Sequence, residues 1–429
     1  MKLKMKNTGK NTLVNSNHFI EVLKNKDFLS LWLAQALSVF CAQMLNFVLA
    51  YIIFDTTKSS FNVSLLFLFY LLPVPILGLF AGIIVDHTSR RNIMVVTNFL
   101  QALIVLLYLL INTHWIFIYP VIFLYSIVDE FYYPAEAAMI PTLVKKEHLP
   151  IANFLFTLAS YGTMVIGFSF AGEIIKLIGK NTTFVLASAL LFAATIASLI
   201  IRKDKVEKKL SFFKENPAAK MWSEVKGNYR FIFRNRMIHL TMLILLLFQV
   251  SVGTLAIAAP EIGTTVLGFD FLDLGIKLIL PIFFGSVLGA FFVDRYMKGH
   301  RKVLISFGMF GAGSVLLTMG FLGLKGIVYY PLIMFLLFIL GFMAIVVMIT
   351  GTTVVQEETP VEIMGRVSGA YKLFQSIIIL APTLMAGAVI DQVGVFPVIF
   401  GLVTMIFMIA FLGILKRNHN FRKVEVKDV

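Results

Sequence analysis

Three acidic residues lie within one apolar stretch of the chain, residues 115–143, and they are the side chains best suited to chemistry. They are Asp129, Glu130 and Glu136. An ionised carboxylate is costly in apolar surroundings, so a carboxyl placed there is a candidate for binding and releasing a proton or for binding a cation. Glu136 follows Asp129 by two helical turns and therefore shares its helix face.

The spacing of these acids leaves their role open. Two carboxyls as close as Asp129 and Glu130 favour sharing one proton, which suits a site that couples proton movement to another process. The same residues could instead line a polar cavity, bind a cationic substrate directly, or make structural hydrogen bonds. Pro134 lies between the acids and is expected to kink the helix and open carbonyl groups toward a cavity.

The elements that must position these acids are membrane-spanning helices. About 20 apolar residues in a helix cross the ~30 Å hydrocarbon core of a bilayer, and only helices satisfy their own backbone there. The chain is 59% hydrophobic and only 14% charged. Twelve stretches have the required length, at about 29–54, 61–85, 93–113, 115–143, 151–178, 183–201, 236–260, 275–293, 303–324, 327–355, 367–390 and 395–415. The sequence thus predicts an all-α membrane protein with twelve transmembrane helices in two pseudo-symmetric six-helix bundles.

The domain organisation follows from these stretches and from one long basic segment between the sixth and the seventh. We expect a tail at 1–28, an N-terminal bundle at 29–201, a linker at 202–235, a C-terminal bundle at 236–415 and a tail at 416–429. Within the linker, 217–234 has the pattern of an amphipathic helix that would lie along the membrane surface.

The distribution of positive charge predicts the orientation in the cell membrane. Of 37 Lys and Arg residues, 31 fall in the two tails, the linker and the other loops on that same side, and five fall on the opposite side. Positive residues remain cytoplasmic, so both termini are predicted inside. The net charge of +14 then reflects topology and attraction to anionic membrane lipid rather than nucleic acid. The single cysteine, Cys41, leaves no disulfide and no cysteine-based metal site.

A short pattern occurs twice, once in each half of the chain. Gly82, Asp86, Arg90 and Arg91 close the second stretch, and Asp294-Arg295 closes the eighth. In both copies two glycines precede an acid and a basic turn. Small residues allow close helix packing, and the acid can accept hydrogen bonds from a neighbouring helix terminus.

Twelve helices with this turn resemble the major facilitator superfamily, whose signature reads G-x-x-x-D-R-x-G-R-R. The first copy departs from it at His87 and Ser89, and in the second copy Gly289 is one residue too far from the acid. The resemblance implies a cytoplasmic latch between the two halves. Its expected members are Gly82, Asp86, Arg90, Arg91, Asp294, Arg295, Gly365 and Arg366.

Two further stretches resemble the macrolide-efflux branch of that superfamily. One runs from Phe131 through Pro134-Ala135 to Asn153, and the other from Gln356 through Pro360 to Val367. The resemblance implies a secondary active transporter that exports a lipophilic small molecule, such as a drug, macrolide or siderophore, by alternating access and proton antiport. We expect the protein to be a monomer. Its expected partners are the lipophilic substrate, protons and membrane lipid.

The chain also departs from that branch. It has no acid near Gln43, no arginine near Tyr125, and only a remnant of the span-5 antiporter signature around Gly167. Proton coupling is therefore less firmly implied than export. The substrate-cavity candidates are Gln43, Asn46, Tyr125 and Tyr132. The outer-gate candidates are Glu173 and Glu261.

The sequence argues against an enzyme. It contains neither the G-x-x-x-x-G-K-[ST] loop that binds nucleotide phosphates nor the H-E-x-x-H pattern of zinc hydrolases. We therefore expect no cofactor and no metal. A transporter or flippase for lysolipids or lipid-linked substrates, or an uncoupled facilitator of the same fold, remains the alternative to drug export.

Overall fold

The computed structural model describes residues 21–111, 114–203, 235–296, 301–359 and 364–415. Every regular element in these ranges is a helix, as predicted. The amphipathic helix predicted at 217–234 lies outside the described residues, as do most of the amino-terminal tail and the whole of the carboxyl-terminal tail.

Seven helices build the N-terminal half: α1 (Lys26–Thr57), α2 (Ser60–Leu71), α3 (Pro73–His87), α4 (Arg90–Leu110), α5 (Ile118–Leu143), α6 (Leu149–Ile178) and α7 (Lys180–Ile200). The second predicted span is thus divided into α2 and α3. The division falls where Pro73 and Pro75 remove two backbone N–H donors. Leu72, between the two helices, keeps helical backbone angles, so only the hydrogen-bond ladder is interrupted there.

Six helices build the C-terminal half: α8 (Arg236–Glu261), α9 (Leu280–Tyr296), α10 (Arg301–Leu324), α11 (Tyr330–Glu358), α12 (Met364–Val393) and α13 (Val395–Leu415). The connection between α8 and α9 contains two wide π-helical turns, Ile262–Val266 and Gly275–Ile279, on either side of a 3-10 turn, Phe271–Asp273. The hydrophobic pattern had predicted a regular helix from 275, because hydropathy cannot distinguish a π turn from an α turn.

The described helices fit a membrane. Eleven spans are long and apolar enough to cross a bilayer, and Val395–Phe411 is a shorter apolar helix. Large apolar side chains such as those of Leu110, Leu177 and Phe291 are exposed on the outside of the bundle. A surface of this kind would be unfavourable in water and suits contact with lipid.

Glycines allow α9 and α11 to pack backbone against backbone. A Cβ on Gly285 would collide with the carbonyl oxygen of Phe338, and one on Gly341 would collide with that of Ile282. The expectation that small residues of the eighth span permit close packing is therefore confirmed in its geometry.

We predict that Gly341→Ala lowers the thermal midpoint of the detergent-solubilised protein, because an added methyl group must push α9 away and such overpacking costs about 1–3 kcal/mol. The matched control is Gly401→Ala in α13, where nothing lies within 4 Å of the new Cβ. Alanine favours the helix at that position, so its midpoint should be unchanged or higher. Equal midpoints for the two variants would contradict the packing argument.

Candidate functional site

The carboxylate of Asp129 is held by a helix neighbour rather than by a cation. Gln101, on α4, is fully buried and donates a hydrogen bond of 2.8 Å from its Nε2 to Asp129 Oδ1. No Lys, Arg or His of the described ranges forms an ion pair with Asp129. The negative form of this side chain is therefore stabilised by a neutral amide donor only.

Glu136 is buried more deeply than Asp129. Glu136 is only 4% exposed, and its Oε1 atom has no hydrogen-bond partner. It lies within electrostatic range of Asp129 and beside the phenol of Tyr132, on the same face of α5. Helix α5 runs through Pro134 and Pro141 as one element. The two-turn spacing thus brings Asp129 and Glu136 into one polar region.

Glu130 has a different neighbour from the adjacent Asp129. A Cβ on Gly78 would lie 3.5 Å from Glu130 Oε2, so this carboxylate lies against α3, whereas that of Asp129 lies against α4. The sequence suggested a pair of Asp129 with Glu130. That pairing stays a prediction, and Glu136 is a second acid on the helix face of Asp129.

The substrate-cavity candidates lie mostly inside the N-terminal half. Asn46, Tyr125 and Tyr132 are at most 5% exposed. Asn46 is close to Tyr70, and Tyr125 is close to Asp129. Gln43 is partly exposed and packs against α6 near Gly167.

The two halves contact each other at one end of the bundle. We call the end where α1 begins and α13 finishes the terminal face, and the other end the opposite face. Hydrogen bonds, an ion pair and ring contacts join the described parts of the two halves at the opposite face. The structure is therefore closed there.

Asp391, near the end of α12, caps the start of α2 across this interface. Its carboxylate accepts hydrogen bonds from the backbone N–H groups of Ser60 and Phe61, at 2.7 and 3.2 Å, and from the Ser59 hydroxyl. A carboxylate at a helix amino terminus also interacts favourably with the helix dipole. Gly387, one turn earlier, lets α12 approach the Ser60 backbone, because a Cβ there would lie 2.6 Å from the Ser60 carbonyl oxygen.

A second contact joins α6 to the connection between α8 and α9. Lys176 forms an ion pair with Asp273, which also accepts a 2.7 Å hydrogen bond from Lys277. Glu173, an outer-gate candidate, pairs with Lys176 at 3.0 Å. Glu261, the other candidate, lies outside this cluster and lines a neighbouring cavity of about 560 Å³ at the same face.

An aromatic cluster completes the closed interface. Phe271 of the C-terminal half lies with its ring centroid 5.6 Å from that of Phe47 and 5.5 Å from those of Tyr51 and Phe54, all on α1. Close by, Gly172 of α6 contacts the carbonyl group of Leu272. The remnant of the span-5 signature therefore contributes a close contact between the halves.

The latch candidates lie at the terminal face. Arg91 donates a hydrogen bond to the Leu199 carbonyl oxygen near the end of α7, and Arg295 is exposed. Nothing lies within 4 Å of a Cβ built on Gly82, and Arg90 is partly buried. The side chains of Asp86, Asp294, Gly365 and Arg366 fall outside the described part of the chain, so the latch stays a prediction.

Sequence reasoning missed several residues that the fold brings into these sites. Gln101 was detectable as a polar residue within an apolar span. Asp273 and Asp391 resembled ordinary acids at helix ends, and only the three-dimensional contact reveals their partners in the other half.

Comparisons with known proteins agree with this architecture. Residues 31–383 match the family described as the Major Facilitator Superfamily. The chain is 24% identical to the uncharacterized MFS-type transporter YfiS of Bacillus subtilis over 375 residues, which cover 85% of this chain and 88% of YfiS. It is 29% identical to macrolide efflux protein A of Streptococcus pyogenes over 128 residues, which cover 28% of this chain and 31% of that protein.

Solved structures show the same fold. The POT family transporter PepTSo superposes with a TM-score of 0.69 at 13% identity, covering 91% of this chain and 97% of PepTSo. A bacterial homologue of the human lysosomal transporter Spinster, in an inward-facing and unoccupied conformation, gives 0.64 at 13% identity, covering 93% and 95%. The chain therefore belongs to the major facilitator superfamily and is a multi-pass membrane transporter, not an enzyme.

Proposed function

We propose that this protein exports a lipophilic small molecule from the cytoplasm by alternating access, driven by protons that move inward. The observation that carries the proposal is the pair Asp129 and Glu136, two carboxyls inside the membrane with no cation paired to them in the described ranges. A charge at the bilayer centre costs at least ~2.5–3.5 kcal/mol. Such a cost favours groups that exchange a proton over groups that keep a permanent charge.

The proposed orientation follows from the positive residues, which place the terminal face in the cytoplasm. The opposite face is then outside, and the described structure is an inward-facing state with a closed outer gate. The gate consists of Asp391 of α12 bound to the start of α2, the ion pair of Lys176 and Asp273, and the ring cluster around Phe271. Water reaches this face, so its ion pairs are weak enough to break and re-form, at about 0–1 kcal/mol each.

Coupling requires that proton and substrate favour different states. A protonated carboxyl tolerates an apolar, closed environment, whereas a carboxylate favours an environment that water can reach. If protonation stabilises one facing state and substrate the other, each drives the exchange only by its differential affinity. One proton crossing 100 mV supplies about 2.3 kcal/mol, which corresponds to roughly a 50-fold substrate gradient.

The substrate class rests on composition and on the branch resemblance. The chain has 42 Phe, 13 Tyr and 19 Met residues, and flexible Met and aromatic walls can repack around different lipophilic ligands. The similarity to macrolide efflux protein A over 128 residues supports the same class. The direction of transport is likewise part of this proposal.

We predict that Asp129→Asn combined with Glu136→Gln abolishes proton-driven transport but spares downhill exchange, because the neutral amides cannot carry a proton. Purified protein in liposomes would be tested with an imposed proton gradient and a panel of ethidium, erythromycin, a catecholate siderophore and lysophosphatidylcholine. The matched control is Glu130→Gln, whose carboxylate contacts α3 instead. A double variant that still concentrates a compound against its gradient would exclude these acids as the coupling site.

We predict that Asp391→Ala opens the outer gate, because α2 then loses the acceptor for two backbone N–H groups. A cysteine at Ser169, fully buried beside Gly275 of the other half, would report opening through its reaction with a membrane-impermeant maleimide. The labelling rate should rise several-fold in Asp391→Ala. It should stay unchanged in Asp55→Ala, since Asp55 pairs with Lys58 of its own half. Equal rates would show that the Asp391 cap does not hold the gate.

A third prediction concerns the latch at the cytoplasmic side. If Asp86, with Arg90 and Arg91, contacts α12 near Gly365 and Arg366 in the outward-facing state, Asp86→Asn should favour the inward-facing state. Labelling of the Ser169 reporter should then fall, and transport should fall with it. Asp294→Asn should have a smaller effect, because the second copy departs further from the signature. Full transport activity in Asp86→Asn would contradict the latch. The basic turn would then serve only to set the orientation of the helices in the membrane.

A further inference from the structure

Two polar stripes face each other between α4 and α5. On α5, Tyr125, Asp129, Tyr132 and Glu136 follow one another at intervals of four, three and four residues, which places them on one helix face. On α4, the matching residues are Asn98, Gln101 and Tyr108. The hydrogen bond from Gln101 to Asp129 joins the two stripes near their middle.

Most of the polar atoms of these stripes lack a partner in the protein. The described residues contain thirteen buried side-chain nitrogen or oxygen atoms without a hydrogen bond, and seven of them lie on these two helices. One of the seven, Arg91 Nε, lies at the start of α4, and the other six belong to the two stripes. The six are Asn98 Oδ1, Gln101 Oε1, Tyr108 OH, Tyr125 OH, Tyr132 OH and Glu136 Oε1. Their residues are at most 4% exposed. Such a concentration in one place indicates a polar site rather than scattered imperfections of packing.

Neighbouring members of the two stripes lie close to one another. Tyr125 lies within electrostatic range of Tyr108 and of Asp129. Tyr132 is beside both Asn98 and Glu136. Buried polar groups are normally satisfied by protein or by ordered water, and a buried water needs two to four polar partners. Donors and acceptors spaced in this way supply such partners along the row.

The length of the row excludes direct contact between its two acids. Asp129 and Glu136 are separated by about 10 Å along the helix axis. A single hydrogen bond spans only about 2.8 Å between heavy atoms. The hydroxyl of Tyr132 can bridge one part of this distance, and the rest requires further hydrogen-bonding groups.

We propose that α4 and α5 hold a row of internal water molecules bound to these six polar groups. The part of the row beside Gln101, Asn98 and Tyr132 connects Asp129 to Glu136, and the part beside Tyr108 and Tyr125 continues on the other side of Asp129. The proton moves along this row, within the N-terminal half. The substrate takes a separate route, between the two halves. At each step one O–H bond breaks as the next forms, and the proton passes from Asp129, the partly exposed member, to the Glu136 carboxylate. The proton path rests on the function proposed above, whereas the bound water does not.

The water row can be tested without knowing the substrate. Radiolysis generates hydroxyl radicals from bound as well as bulk water, so buried side chains beside bound water are oxidised within milliseconds. In the purified full-length protein, Tyr108, Tyr125 and Tyr132 should be modified despite their burial. Phe28 and Phe47 are equally buried aromatic controls in the apolar core clusters. Modification of the three tyrosines no faster than that of the two phenylalanines would overturn the proposal.

Variants test whether the row depends on the groups named. Asn98→Leu removes two polar atoms beside Tyr132, and we expect modification of Tyr132 to fall several-fold. The control Asn62→Leu lies on α2, away from the row. A measured thermal midpoint close to that of the unchanged protein identifies variants that still fold. Unchanged tyrosine modification in a folded Asn98→Leu variant would contradict binding of water by these groups.

The proton path is tested separately through Tyr132→Phe, which removes one hydroxyl and keeps the ring. We expect proton-driven accumulation to fall several-fold while downhill exchange of the same compound is retained. Unchanged accumulation would overturn the path even if footprinting detects the water. A loss of proton-driven accumulation in Asp129→Asn with Glu136→Gln tests only the coupling role of the acids. The proposed function and the proposed water row can therefore fail independently.

Discussion

In the hydrocarbon core of a bilayer no bulk water is available to bind a backbone amide or a carboxylate, so each polar group must find its partner inside the protein. The fold meets this requirement for the backbone with helices throughout the described residues. For side chains it is met only in part. Asp129 receives one amide hydrogen bond, and an oxygen of Glu136 receives none. The incomplete satisfaction of these two acids is the reason why we propose them as a proton-coupling site rather than as a purely structural polar contact.

The same constraint accounts for the different construction of the two regions. At the opposite face, water lowers the cost of charge, and there Asp391, Lys176 and Asp273 make ionic contacts between the halves. These contacts can be exchanged for hydration when the halves separate. At mid-membrane a permanent charge would be costly in every state, so neutral amides and phenols surround the acids instead. A gate that opens and a site that holds a proton therefore require different side chains at different depths.

Much of this arrangement could be predicted from the sequence. Hydrophobic length located the spans, and helical spacing placed Asp129 and Glu136 on one face. Hydropathy did not predict every helix boundary. The prolines near residue 73 divide a span that hydropathy showed as one. The interruption before α9 has no hydropathy signal at all. The pairing of Asp391 with the start of α2 depends on residues more than 300 positions apart, which one sequence without its fold cannot bring together.

The central claim is that the α5 acids couple substrate export to proton entry, and proton movement itself tests it most directly. Liposomes containing the purified protein and the dye pyranine would be given an outward gradient of a compound that the protein transports, with no proton gradient imposed. We expect acidification of the compartment from which substrate departs, and we expect Asp129→Asn with Glu136→Gln to abolish it. Substrate movement without any change in internal pH in the unaltered protein would contradict it.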